Sequence, residues 1–271
     1  MNGGRESSGV RWLRTYTVAY LVFIYLPVLF LPLFSFNDAI YVAFPMKGFT
    51  LRWWEEMAGQ QGMRNALWNS FSVALPVSLI STTLGMCAAK ALTSFHLPGA
   101  RTMTGLFMLP LVIPFIILGI ALLIAFNKSG IGLSLFSVGI GHVVICVPFA
   151  LFVLMSRLES HDPSLEEAAL DLGETAWMAF WRVTFPVALP GVVASLLLTF
   201  TISFDEFLLA FFLTGNDSTL PLYIWSQLRF PAKLPAVLAL GTAILIVSFA
   251  MVIAAEWLRR KEGSQDNHEA Q

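Results

Sequence analysis

Charge is what this sequence has least of. Asp, Glu, Lys and Arg make up 12% of its 271 residues, about half of the roughly 25% usual in soluble domains, so there are too few ions to keep a globular surface wet. The balance is also neutral, 16 basic against 17 acidic residues. That excludes the basic surface on which nucleic-acid binding depends, and no nucleic-acid partner is expected. Cysteine is limited to Cys87 and Cys146, both in apolar stretches without His or carboxylate neighbours. No metal site or disulfide is expected from them, and each reads as a small buried hydrophobe. A Gly-x-x-x-x-Gly-Lys-Ser/Thr phosphate loop does not occur, so no ATPase site and no bound nucleotide is expected of this chain. No constellation of nucleophile, base and metal ligands stands out, which argues against an enzyme.

What the sequence does have is apolar length: 57% of its residues are hydrophobic, and they fall into long blocks. A membrane span needs roughly 20 mostly apolar residues. Six blocks qualify, at 15–36, 68–92, 103–126, 133–155, 188–213 and 236–258. The expected fold class is therefore an all-α integral membrane protein with six transmembrane helices. The first block has the basic flanks of a signal peptide, Arg11 and Arg14, but it is too long and runs into Phe34-Ser35-Phe36-Asn37 rather than a small-residue cleavage site. It reads as a retained first transmembrane helix.

Basic residues near the span ends set the orientation. With residues 1–14 in the cytoplasm, the inner segments carry Arg5, Arg11, Arg14, Lys90, Arg101, Arg157, Arg182, Arg259, Arg260 and Lys261, against Lys47, Arg52, Arg64, Lys128, Arg229 and Lys233 outside. Both termini are then cytoplasmic, with 259–271 a polar, disordered tail. The outer loop 37–67 carries Trp53 and Trp54 and reads as interfacial. Pro27, Pro32, Pro76, Pro110, Pro114, Pro148 and Pro190 lie within or beside spans. Each inside a helix removes one backbone hydrogen bond, and Pro110 and Pro114 share one face of the third span. Lys90, near the cytoplasmic end of its span, reads as a snorkelling side chain, and His142 as a packed, hydrogen-bonded histidine.

The inner loop 156–187 is the most informative segment. Asp162 is suited to cap a helix and Pro163 to open it. Glu166 and Glu167 sit where the helix dipole favours acids. Leu165, Ala168, Ala169 and Leu172 follow helical spacing on one face, and Gly173 fits the position past the end. A second helix capped by Thr175 is expected to run through Trp177, Phe180, Trp181 and Val183 and to stop before Pro186. An exposed aromatic surface of this kind is expected to bind a partner.

Glu167-Ala168-Ala169, three residues, Gly173, nine residues, Val183, one residue, Phe185-Pro186 resembles the Glu-Ala-Ala loop of bacterial ATP-binding-cassette importer permeases, with Val183 and Phe185 in place of Ile and Leu. The resemblance implies a type I transmembrane domain over 65–258. It makes 156–187 a cytoplasmic coupling loop between the fourth and fifth helices that docks into a groove of a partner ATPase. ATP and magnesium are then used by that ATPase, and this chain binds no cofactor. Glu166, Glu167, Ala168, Ala169, Gly173, Trp177 and Phe180 become the candidate coupling residues. Phe36-Asn37, Gly48 to Trp54, Asn69-Ser70, Ser203 to Phe207 and Thr219-Leu220-Pro221 resemble the permease branch for spermidine and putrescine. This implies a heterodimer with a second permease, an external solute-binding protein and a bacterial inner membrane.

Asp205 and Glu206 fall inside the fifth block, where a carboxylate costs about 2.5–3.5 kcal/mol on insertion scales. On a continuous helix they point about 100° apart, one towards a pathway and the other towards a helix interface. Asp205 either attracts a cationic amine or makes a structural hydrogen bond, and Glu206-Phe207 also resembles a pair in anion-carrying relatives. Several polyamine permeases carry an acidic residue after the second proline of the third span, where this chain has Phe115. Two other readings stay open. One is an importer of the same fold with a different cargo. The other is a carrier driven by protons or sodium through Asp205, Glu206 and His142.

The orientation is directly testable. A reporter active only in the cytoplasm, fused after Gln271, is expected to be active, and a cysteine placed within 37–67 is expected to react with an impermeant thiol reagent added outside. The opposite pattern contradicts it.

Overall fold

The computed structural model describes residues 8–95, 97–159, 164–247 and 249–250. Asp162 and Pro163, and the end of the sixth block with the tail, lie outside these residues. Among the described residues the regular structure is helical, apart from a single antiparallel bridge between Asn37 and Phe49, with irregular segments joining the helices. Its residues fall into two compact units, Gln61–Tyr223 and the segments on either side.

In the flanking unit, α1 spans Ser8–Ser35. Its 28 residues reach about 42 Å at 1.5 Å each, enough for a hydrocarbon core of about 30 Å. Its apolar side chains are almost all exposed, as lipid-facing ones are. A compact knot follows. The Asn37 side chain accepts the Lys47 N–H, its carbonyl accepts the indole N–H of buried Trp53, and Phe36 stacks between Phe49 and Trp54. Trp53 and Trp54 lie on α2, Arg52–Gly59.

The second unit is built on α3 (Gln61–Ser94), α6 (Leu135–Glu159) and α9 (Phe185–Asp205), which pack against one another. Association in lipid gains little from the hydrophobic effect and depends on close packing by small residues. Gly85 on α3 shows this: a Cβ there would lie 2.7 Å from the Ala150 Cβ and 2.9 Å from the Leu151 backbone nitrogen. Higher up, the hydroxyls of Thr82 and Ser195 meet at 3.0 Å. Asn69 donates to the Ser218 carbonyl and Ser70 accepts the Leu220 N–H, so the start of α11 (Leu220–Gln227) is pinned to α3.

Two expected spans are interrupted. The third block is α4 (Ala100–Val112) and α5 (Phe115–Ser129), bent by 98°. Pro114 disfavours helical backbone at the residue before it, and Ile113 is extended at φ −77°, ψ 127°. Pro110 and Pro114 therefore do not share a face of one straight span. The fifth block also breaks: α9 ends at Asp205, Glu206 is extended, and a six-residue α10 runs over Leu208–Leu213. Counting the bent pair as one, up to five candidate spans occur among the described residues. The described part of the sixth block belongs to a shorter apolar helix, Pro231–Val247.

Between α6 and α9 lie α7 (Ser164–Asp171), α8 (Ala176–Ala179) and a π-turn (Phe180–Thr184). The helix expected to stop before Pro186 does not stop. The Phe185 N–H reaches five residues back to the Phe180 carbonyl, a wider turn that makes room for the proline ring, and the helix continues as α9. The second span also starts earlier than expected, with α3 absorbing residues 61–67 of the outer loop.

Gly85→Val is expected to destabilise the α3–α6 contact by about 1–3 kcal/mol, the usual cost of overpacking. A lower melting temperature of the purified protein checks this, and an unchanged one contradicts the packing.

Candidate functional site

The break in the fifth block gives its two carboxylates separate environments. Glu206 is 8% exposed. Its carboxylate turns forward and accepts the N–H groups of Leu208, Leu209 and Ala210 at 3.0, 2.7 and 3.4 Å. These are the N–H groups that the opening turn of a helix leaves without partners, and in hydrocarbon each would cost several kcal/mol if left bare. The other end of α10 is served too, by the Ser137 hydroxyl donating to the Leu213 carbonyl at 2.8 Å. Two short helices, α5 and α10, pack together beside α6.

Behind Glu206 stands fully buried His142 on α6. Its Nδ1 lies 2.9 Å from the Ser203 hydroxyl, and its Nε2 lies 3.6 Å from Glu206 Oε2, beyond hydrogen-bond distance. His142 is thus packed and hydrogen-bonded. The pair lacks a third ligand, and among the described residues no three His, Cys, Asp or Glu side chains gather as a metal would need.

Asp205 is the last residue of α9 and, unlike Glu206, is not buried. It is exposed and has no hydrogen bond or ion pair among the described residues. It also stands at the negative end of the α9 dipole, where a carboxylate is unfavourable and a cation is welcome. Phe115, the other candidate on the pathway, opens α5 directly after the bend and packs half-buried against the core around Leu118 and Leu209.

The segment between α6 and α9 folds as a helix, a tight turn and a second helix. Gly173 adopts φ +92°. Its N–H reaches the Leu170 carbonyl and that of Glu174 reaches Ala169, at 2.9 and 3.1 Å, which is the paired bonding that ends a helix at a left-handed glycine. Thr175 caps α8 through the Met178 N–H. Glu167 and Ala168 are exposed, Ala169 is half-buried, and Leu172 is 88% exposed. Trp177 stacks on Phe180, which meets Trp181, which in turn lies 4.8 Å from Phe185.

Glu166 does not join this outer face. It pairs with Lys90 of α3 and accepts the Thr184 hydroxyl at 3.0 Å. Lys90 therefore does not snorkel to water, because an acid on α7 reaches it first. Sequence reasoning missed this pairing and the roles of Thr184 and Ser203. The only signal available was an isolated lysine at a span end and a loop carboxylate 76 residues later.

Residues 81–263 match the family described as "Binding-protein-dependent transport system inner membrane component". The chain is 30% identical over 246 residues to the spermidine/putrescine transport system permease protein PotC of Escherichia coli (strain K12), covering 90% of this chain and 92% of PotC. It is 32% identical over 231 residues to the putrescine transport system permease protein PotI of the same organism, covering 82% of each. A crystal structure of a bacterial ABC transporter involved in the import of the acidic polysaccharide alginate superposes with a TM-score of 0.73 at 16% identity, covering 93% of this chain and 99% of that one. That likeness shows the fold.

The two carboxylates are expected to respond differently to substitution. Glu206→Ala is expected to cost about 0.5–2 kcal/mol as a lost cap, with more added for the bare N–H groups. Asp205→Asn is expected to stay within about 0.5 kcal/mol, as an exposed, unpartnered site does. Melting temperatures of the two variants check this, and equal losses contradict it.

Proposed function

The chain belongs to the family of binding-protein-dependent transport system inner membrane components, and from that premise we propose that it forms half of the translocation pathway for small polyamines such as putrescine and spermidine. As a member it is a multi-pass inner-membrane permease subunit of an ATP-driven importer and carries no ATPase site of its own. One structural observation supports the amine cargo above the others: Asp205 is an unpartnered carboxylate at the end of a helix broken inside the membrane block. Broken helices place their ends at transporter binding sites, and this end combines a carboxylate with a negative dipole. The names of PotC and PotI point to the same cargo.

Energy then enters through partners. Two ATPase subunits use ATP and magnesium, a second and different permease completes the pathway, and an external solute-binding protein delivers cargo. Both termini and the segment 156–187 face the cytoplasm. Closure of the ATPase pair draws the coupling helices together, and the permease pair opens outward. The exposed face of α7, with Glu167 and Ala168, and the turn at Gly173 meet the ATPase, beside the Trp177–Phe180 cluster. Glu206 holds α10 in place and does not touch cargo. Phe115 lines the pathway at the α4–α5 bend, where α5 begins without a side-chain cap. Irregular backbone at that depth is tolerated where it lines a water-filled cavity or is buried in protein.

Labelled putrescine and spermidine are expected to enter vesicles holding the complete assembly, in an ATP-dependent way that Asp205→Asn abolishes while the assembly stays intact. Uptake that survives Asp205→Asn removes Asp205 from the pathway. An ATPase that answers its binding protein without any amine uptake means another cargo. Uptake without ATPase subunits, driven by an ion gradient, means the carrier reading is right.

A further inference from the structure

One carboxylate oxygen joins three elements of the second unit. Oε2 of Glu166, in the first turn of α7, accepts both the Lys90 ammonium from α3 and the Thr184 hydroxyl from the π-turn that opens α9. α7 is eight residues long and has no buried side chain. Leu165, Leu170 and Leu172 all face outward, and a helix so short does not persist on propensity alone. At its far end the chain turns through Gly173, where no neighbouring atom lies within 4 Å of a Cβ position. Glu166 gives a displacement of α7 a side-chain route to both α3 and α9.

We infer that the Lys90–Glu166 ion pair, braced by Thr184, is the tie that passes movement of α7 to α3 and α9 together. This rests on reading 156–187 as the ATPase-coupling segment. It assigns Glu166 a positioning role inside the permease, whereas Glu167 and Ala168 remain available to the ATPase. The physical case is directional stiffness. Apolar surfaces slide over one another, but a charge-assisted hydrogen bond has a preferred length and angle. The two side chains are 16% and 23% exposed, so their attraction is screened less than that of a surface pair. The tie also ends in a useful place, because the helix it grips, α9, carries Asp205 at its other end.

ATP hydrolysis and amine uptake are to be measured together on the complete assembly in vesicles, with its binding protein. In Lys90→Met and in Glu166→Gln, hydrolysis stimulated by the binding protein is expected to persist while uptake per ATP falls about tenfold, the scale of one lost charge-assisted bond. The charge-swapped pair, Lys90→Glu with Glu166→Lys, is expected to regain most of the lost ratio, since the relocated ammonium can still meet the Thr184 hydroxyl. An unchanged ratio in both single variants overturns the inference. So does a swap that assembles uncoupled or does not assemble. A wild-type ATPase that ignores the binding protein counts instead against the importer reading, and the two failures stay distinct.

Discussion

The Glu206 carboxylate on the three N–H groups that open α10 is the interaction on which the membrane-embedded part of the second unit depends. In hydrocarbon a bare amide or a bare carboxylate is costly, and here each removes the cost of the other. Because that bond exists, α9 can end at Asp205 instead of running on. α10 can then begin as a separate helix, its far end held by Ser137 and its side packed on α5 and α6. His142 and Ser203 extend the same polar cluster into the α6–α9 contact. What remains outside the cluster is Asp205. The structural needs of the break are met by one of two adjacent acids, and the other, Asp205, stays exposed; the proposed amine role rests on that difference.

The remaining interruptions follow the same rule with different chemistry. At Ile113–Pro114 the proline has no N–H to leave bare, and the helix re-forms at once with the Leu118 N–H on the Pro114 carbonyl. Ahead of Pro186 the chain widens to a π-turn instead of breaking, so the thirty residues Ala176–Asp205 form one helical path from the segment between α6 and α9 to the acidic pair. A helix that is continuous over that length would, in the proposed importer, rigidly connect the segment read as ATPase-coupling to Asp205. The Lys90–Glu166–Thr184 cluster lies at its entrance.

Much of this was legible in the sequence, for identifiable reasons. Apolar length and scarce charge gave the helical membrane class. Thr175 and Gly173 marked helix ends because capping is local chemistry, readable from a few adjacent residues. The quoted motifs proved to be partners in space: Asn69-Ser70 bonds the segment Ser218–Leu220, and Asn37 bonds Lys47 and Trp53. Periodicity failed at Glu206. A run such as Phe207 to Leu213 looks like continuing span, and only the approach of a carboxylate to its own next amides shows the break. Lys90 was misread for a related reason, since nothing local reveals a counter-ion brought by a distant loop.

The separation of roles between Asp205 and Glu206 is tested most directly by access. In a complete assembly with Cys87 replaced by serine and Asp205 intact, Thr201→Cys, exposed one turn before Asp205 on α9, is to be treated with a water-soluble cationic methanethiosulfonate, with and without putrescine, while the transporter is cycling. The account expects modification during turnover and protection by putrescine. A Thr201→Cys thiol that never reacts in a cycling transporter, or reacts equally with putrescine present, would contradict it.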